Sequence, residues 1–292
     1  MELKSQLRSR GICVIIPTYN NEKSIRQVVT DTLNYCDDVI VVNDGSTDRT
    51  TATLHEMGGI TLVSYPQNKG KGCALREGFR KALSMGFAYA ITLDADGQHY
   101  PADIALFLKA NQEHPGALII GRRLLEGAVR SKGSNFANKF SNFWFYVQTG
   151  KALEDTQTGY RLYPLHKLYG LGLLTSRYEA ELELLVFASW HGVELVSIPV
   201  NVYYPPREER VSHFRPGKDF ARISVLNTVL CFLAVVYGLP LRLGRKLMVF
   251  LRTLYSLLFF LFFTMVVFTP AAWLYLKIGN VTEKKRYRLH QL

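Results

Sequence analysis

The sequence predicts an α/β protein built on a mostly parallel central sheet, followed by an apolar helical segment at its C-terminal end. Three observations predict it. From residue 11 to 120, short β-branched runs alternate with stretches of helical period, the order of successive βαβ units. The strand candidates are continuously apolar, which suits a sheet covered on both faces. Two long uncharged runs then close the chain, with basic residues gathered around them.

Element by element, the first strand is 12–16 (ICVII), closed by Pro17. Residues 24–35 follow with Ile25, Val28, Val29 and Leu33 at helical spacing. A second strand at 38–42 leads into a short helix over 50–57, stopped by Gly58 and Gly59, and a third strand occupies 60–65. The next helix spans 73–85 and Gly86 is placed to end it. A fourth strand begins at 89, Pro101 opens another helix, and 117–120 is a fifth strand. Beyond Gly121 the pattern loosens into helices at 134–149 and 178–190 and a last strand at 193–200. Phe136, Phe140, Phe143, Trp144, Phe145 and Tyr146 surround the first of these helices, a pattern that favours core packing.

The uncharged runs are 223–241 and 253–276, the second long enough to cross ~30 Å of hydrocarbon. Five positive residues precede the first run and five follow the second. Arg242, Arg245 and Lys246 sit between the runs, where a turn is expected. The positive-inside rule then gives a transmembrane helical hairpin with both ends cytoplasmic, or an interfacial first helix. The expected organisation is a catalytic domain over 1–205, a basic segment over 206–222, a membrane hairpin over 223–276 and a basic tail over 277–292. The charged N-terminus lacks the apolar core of a signal peptide, which places the first domain in the cytoplasm.

Charge and cysteines exclude other classes. Residues 1–200 carry 21 Lys and Arg against 20 Asp and Glu, whereas 201–292 carry 14 against 4. A nucleic-acid binder would show its basic excess on a folded domain, but here the excess flanks apolar runs, so the partner is a membrane. Cys13, Cys36, Cys73 and Cys231 are widely separated and read as small core residues. No GxGxxG follows the first strand, which excludes a nicotinamide dinucleotide enzyme.

Ligands of open α/β sheets bind outside the carboxyl ends of the strands. Four successive strand ends here carry ligand-type residues. Asp94 and Asp96, in LDADGQH after the fourth strand, can converge on one hard cation, Mg2+ or Mn2+, bridging a diphosphate. Asp44, in VNDGSTD, can accept from a nucleobase N–H or a ribose hydroxyl, or else sit in an Asx turn. Pro17 fixes the exit of the first strand, and Tyr19 can flank a flat base. In NKGKG, glycines permit close approach and Lys69 and Lys71 can face phosphate. Arg122, Arg123, Arg130, Ser134 and Asn138 can meet an anionic lipid head or form a solvated face. His55, His114, His166 and His191 have no ligand-like partners.

PTYN, VNDGSTD, NKGKG and LDADGQH together resemble the serial motifs of glycosyltransferase family 2. Asp155-Thr156-Gln157-Thr158-Gly159-Tyr160-Arg161 is similar to the branch that includes dolichyl-phosphate mannosyltransferase and dolichyl-phosphate glucosyltransferase. The resemblance spans 12–220 and implies a GT-A type nucleotide-diphospho-sugar transferase fold. It implies that Pro17, Tyr19 and Asp44 hold the nucleotide, and that Asp94, Asp96 and Gln98 hold the metal. Arg207, Ser212 and His213 stand where that branch has an Arg…Ser-Lys element beside the phosphates. Arg210 and His213 depart from its Gly and Lys, and PTYNNE has one residue more than the usual PxYNE before Glu22. The QxxRW signature of processive synthases is absent, so one sugar is transferred.

The expected function is therefore an integral, cytoplasm-facing, inverting transferase that moves one sugar from a nucleotide-diphosphate sugar to a polyprenyl phosphate. The alternatives are a glycolipid synthase with a hydroxyl acceptor, or a non-catalytic membrane scaffold with the same fold. A hydroxyl acceptor needs a general base. Asp155 is the candidate, with Glu179 and Glu181 behind it, against a structural carboxylate that holds a loop by capping or by pairing with Arg161.

Overall fold

The computed structural model describes residues 2–124, 132–203, 216–251 and 253–260. A short helix α1 (Glu2–Ser9) precedes strand β1 (Ile12–Thr18), and α2 (Ile25–Tyr35) leads to β2 (Val39–Asp44). Then come α3 (Thr50–His55), β3 (Ile60–Tyr65), α4 (Lys71–Ser84), β4 (Tyr89–Thr92) and α5 (Ile104–Glu113), the last entered through a 3-10 turn at Pro101–Asp103. After β5 (Leu118–Arg123) the chain forms α6 (Lys132–Thr149), β6 (Arg161–Pro164), α7 (Leu165–Leu168), α8 (Glu179–Trp190) and β7 (Leu195–Val200). Helix α9 (Pro216–Leu233) continues as a π-helical turn over Ala234–Gly238.

The strands form one sheet in the order β3-β2-β1-β4-β6-β5-β7. All neighbours are parallel except β6, which runs antiparallel between β4 and β5. Alternate residues of β1 serve opposite faces, as the two-residue period of a strand requires. Ile12, Val14 and Ile16 join the core with α1, α2 and α5, while Cys13 and Ile15 join the one with α4, α6 and α8. That two-sided burial is why the strand sequence is continuously apolar.

The expected strands and helices through residue 200 are present with ends shifted by a few residues, and α1, β6 and the short α7 are additional. Strand β6 carries Arg161 and Pro164, residues that a buried strand seldom holds. Arg161 is fully buried, and the strand tolerates it because its guanidinium donates to the carbonyls of Thr156 and Glu181 at 2.8 and 2.9 Å.

The chain divides into Met1–Leu239 and Pro240–Leu292. In the first unit α9 lies on α6 and α8. Leu226, Asn227 and Leu230 are buried there, and Gln148 Nε2 donates to Asn227 Oδ1 at 2.9 Å. Gly238 lies so close to Trp190 that a Cβ there would stand 2.7 Å from the indole nitrogen.

In the second unit the described residues are helical, with Leu243, Leu247, Met248, Phe250 and Phe260 exposed. One apolar helix, Arg222–Phe260, runs for 39 residues with a mean hydropathy of 2.0. The expected hairpin turn is thereby corrected: Arg242, Arg245 and Lys246 are helical, and no hairpin is present among the described residues. Arg, Lys, Leu and Met are all good helix formers, and a cluster of positive charge does not by itself end a helix. The second run, 253–276, is described only as far as 260.

Candidate active site

The carboxyl ends of β1, β2, β3 and β4 bring their loops to one edge of the sheet. Pro17 is buried within β1, and Tyr19 is half-buried just past its end. The next loops are laced together. Asn20 accepts the backbone N–H of Thr47 at 2.8 Å, and Asp48 accepts those of Glu22 and Thr50 at 3.1 and 2.9 Å. Glu22 in turn accepts the N–H of Arg49 at 3.0 Å, just before α3 begins. Asp44 is buried and accepts the N–H groups of Lys69 and Gly70 at 2.7 and 2.8 Å, which ties the end of β2 to the NKGKG loop. Burial and the nearby Asp44 push the Tyr65 phenol upward.

Past β4, Asp94 and Asp96 stand on a turn in which Asp96 accepts the N–H of Gln98 at 3.0 Å. Burial and the charge of Asp94 push the Asp96 carboxyl up to about 6. Burial also opposes the charge of Asp94, but Lys71 outweighs it and holds that carboxyl below its ordinary value. Lys71 Nζ lies 2.7 Å from Asp94 Oδ1 and 3.1 Å from Glu181 Oε2. His99 supports the loop from behind. Burial lowers its pKa to about 4, so the ring is neutral and Nδ1 can accept the N–H of Asp94 at 3.3 Å. The ring also stacks on Tyr160 at 4.9 Å.

This donor set fits a small divalent cation. Two carboxylates, one of them strained toward protonation by its neighbour, gain from a shared positive charge, and Gln98 adds an amide on the same turn. Among the described residues no group of three or more His, Cys, Asp or Glu could enclose a metal alone. Mg2+ commonly takes one or two carboxylates and completes its shell with phosphate and water.

The DTQTG segment closes over this loop. A Cβ on Gly159 would stand 2.5 and 2.8 Å from the Asp94 oxygens and 2.8 Å from Lys71 Nζ. Gly159→Ala is therefore expected to displace both groups, as overpacking that costs about 1–3 kcal/mol. Calorimetric titration with a nucleoside diphosphate and Mn2+ should show affinity weakened by roughly tenfold; unchanged affinity would separate this segment from any binding at the acidic loop.

Asp155 pairs with Arg123, not with Arg161. Its oxygens accept Arg123 Nε at 2.6 Å and Nη2 at 2.8 Å, and Gln157 N–H at 3.2 Å. Burial opposes its charge, yet Arg123 prevails and the carboxyl is held below its ordinary value. Arg122 donates to the exposed Glu154 at 2.9 Å, and Asn138 to the Glu154 carbonyl at 3.3 Å. Thr156 is anchored on Ser141 and Asn142 of α6. Phe145 of that helix is buried as expected, whereas Phe143 and Tyr146 are exposed. Arg130, Arg207, Arg210, Ser212 and His213 lie outside the described residues.

Sequence reasoning missed the pairing of Lys71 with Asp94 and Glu181, the support from His99 and the tight seat of Gly159. The glycine inside DTQTG was the one local signal for these contacts.

The model of glycosyl transferase family 2 matches residues 13–161. A UDP-N-acetylglucosamine–dolichyl-phosphate N-acetylglucosaminyltransferase of Methanococcus voltae is 30% identical over 216 residues, 66% of this chain and 86% of that protein. The polyprenol monophosphomannose synthase of Mycolicibacterium smegmatis is 29% identical over 215 residues, 68% of this chain and 79% of that protein. Among solved structures, glucosyl-3-phosphoglycerate synthase from Mycobacterium tuberculosis, in complex with Mn2+, UDP and phosphoglyceric acid, matches with a TM-score of 0.61. That match has 19% identity and covers 80% of this chain and 81% of the other, a likeness of fold. The parallel sheet with its antiparallel β6 is accordingly a GT-A fold. With the motif loops gathered at one sheet edge and a family match over half its length, the chain belongs to glycosyltransferase family 2.

Proposed function

We propose that this glycosyltransferase moves one sugar from a nucleotide-diphosphate sugar onto polyprenyl phosphate. The reaction takes place at the cytoplasmic face of a membrane in which the apolar helix is held. The observation that carries the reading is the commitment of Asp155. A hydroxyl acceptor needs a carboxylate to take its proton, and this one is locked on Arg123 with a depressed pKa. A lipid phosphate needs no such base, because it is already anionic near pH 7. The names of the relatives in Methanococcus voltae and Mycolicibacterium smegmatis support the same acceptor class.

Pro17, Tyr19 and Asp44 hold the nucleotide against the ends of β1 and β2. Asp44 keeps the NKGKG loop in place and retains lone pairs for the nucleotide. Asp94, Asp96 and Gln98 take Mg2+ or Mn2+, which neutralises charge on the departing nucleoside diphosphate. Arg122 receives the acceptor head, since its exposed pair with Glu154 is worth only ~0–1 kcal/mol and exchanges for phosphate. Arg207 and Ser212 complete the phosphate contacts. In-line attack inverts the anomeric centre. At about 1.5 Å per residue, the 39-residue apolar helix exceeds the ~30 Å hydrocarbon core, so only part of it needs to lie in lipid.

A second reading, transfer to a lipid hydroxyl, is favoured by one group. Glu179 is buried with an oxygen that has no hydrogen-bond partner, and it is the carboxylate such a reaction would use. Protein in native membranes, incubated with a panel of radiolabelled nucleotide sugars, distinguishes the two. The expected product is a lipid bearing one sugar through a linkage that mild acid cleaves. An acid-resistant glycolipid establishes the hydroxyl acceptor, and label that never enters lipid overturns both.

A further inference from the structure

Lys71 is held between two acids, and its partner on the far side has room for more. Glu181 is buried, gives Oε2 to Lys71 at 3.1 Å, and keeps Oε1 without a hydrogen-bond partner. On the near side Lys71 takes Asp94 Oδ1 at 2.7 Å, one of the oxygens that a divalent cation must share. The backbone on either side of Lys71 is closely packed. A Cβ on Gly70 would strike Arg177 and Ser176, and Gly72 is equally pressed against Ala180. The ammonium sits at the end of a four-carbon stem that can rotate without moving that backbone.

A cation at Asp94 and an ammonium on the same carboxylate repel each other. Moving Nζ by a small rotation leaves it wholly on Glu181, whose second oxygen is ready to accept it. We propose that Lys71 passes from Asp94 to Glu181 as the divalent cation is taken up, so that Glu181, outside the DADGQ loop, sets the affinity for the metal. The inference rests on the reading of Asp94 and Asp96 as metal ligands. Glu181 is thus a positioning residue: it receives the charge that has to leave.

The test titrates the full-length protein in detergent micelles with Mn2+ alone and counts the free ion by electron paramagnetic resonance, with no turnover involved. Glu181→Gln is expected to weaken Mn2+ about tenfold, because Lys71 then stays on Asp94. Glu181→Asp, with the charge kept and the reach shortened, falls between the two. Lys71→Met removes the competitor and tightens Mn2+, and adding Glu181→Gln to it changes nothing further, a coupling that a double-mutant cycle isolates. Glu179→Gln removes an equal charge from the same helix without touching Lys71 and leaves the affinity in place. Equal weakening by Glu179→Gln and Glu181→Gln, or weakening by Glu181→Gln even in the Lys71→Met background, reduces Glu181 to a general negative charge and overturns the proposal. Should Lys71→Met not fold by circular dichroism, the series Glu, Asp, Gln at 181 with the Glu179→Gln control still decides it. Wild-type protein that binds no Mn2+ even with a nucleoside diphosphate present overturns the metal reading itself, whereas binding that Glu181→Gln leaves unchanged overturns only the transfer of Lys71.

Discussion

Asp96→Asn is expected to lower turnover by at least ~10²-fold, the scale of losing a group that stabilises developing charge. The same change is expected to leave the protein folded, and no less stable when divalent cations are removed. Burial and Asp94 raise the Asp96 carboxyl to about 6, so its ionised form strains the folded state. Without metal, that strain grows as pH rises from about 4, the ordinary value, to about 6. An amide at 96 removes it. Activity and melting temperature therefore move independently, and a joint loss of both would make Asp96 a structural residue. Full turnover of the wild type in excess EDTA would overturn the role of metal altogether.

Asp155→Asn is expected to do the reverse: stability falls and the chemistry survives. The substitution leaves Arg123 largely buried without its bidentate carboxylate. Breaking such a pair costs about 3–5 kcal/mol, which in a protein of this size lowers the melting temperature by roughly 10 °C. Because the Asp155 carboxyl is held below its ordinary value, the pair is fully formed above about pH 4 and is lost as acid carries the pH through the depressed value. Turnover of the folded fraction should change by less than ~10-fold, with an unaltered pH profile. A loss above ~10³-fold with the melting temperature and donor binding intact would instead identify Asp155 as a base and the acceptor as a hydroxyl.

These opposed outcomes reflect what the sequence could and could not convey. Strands such as 12–16 and 38–42 were legible because burial on both faces demands unbroken apolar residues. The acidic loop at 94–98 was legible because a strand end and two acidic residues are adjacent in the chain. Strand β6 was not, since its Arg161 is acceptable only where the carbonyls of Thr156 and Glu181 receive it, and those contacts exist only in three dimensions. The choice of Arg123 over Arg161 as partner of Asp155 follows from β6 pairing antiparallel to β5, a topology that no local pattern announces. The Lys71 cluster joins residues from the start of α4, the end of β4 and the start of α8. Each of these draws notice on its own in the sequence, but nothing local says that they meet. The turn at 242–246 failed for a simpler reason: charge was read as a break in a segment whose backbone preference is helical.

Helix α6 carries a consequence for anyone preparing this protein. Along its length Asn138 and Asn142 hold the Glu154 carbonyl and Asn142 also receives Thr156, while near its far end Gln148 grips Asn227 and receives the Trp190 indole N–H through its carbonyl. The loop at Glu154–Thr156 and the root of the hydrophobic stem thus hang from one rod. A soluble fragment trimmed where the apolar residues begin would strip Leu226, Asn227 and Leu230 from that rod and bare an oily scar on it. Such a fragment is the wrong reagent, and a cut placed after Gly238 respects the joint.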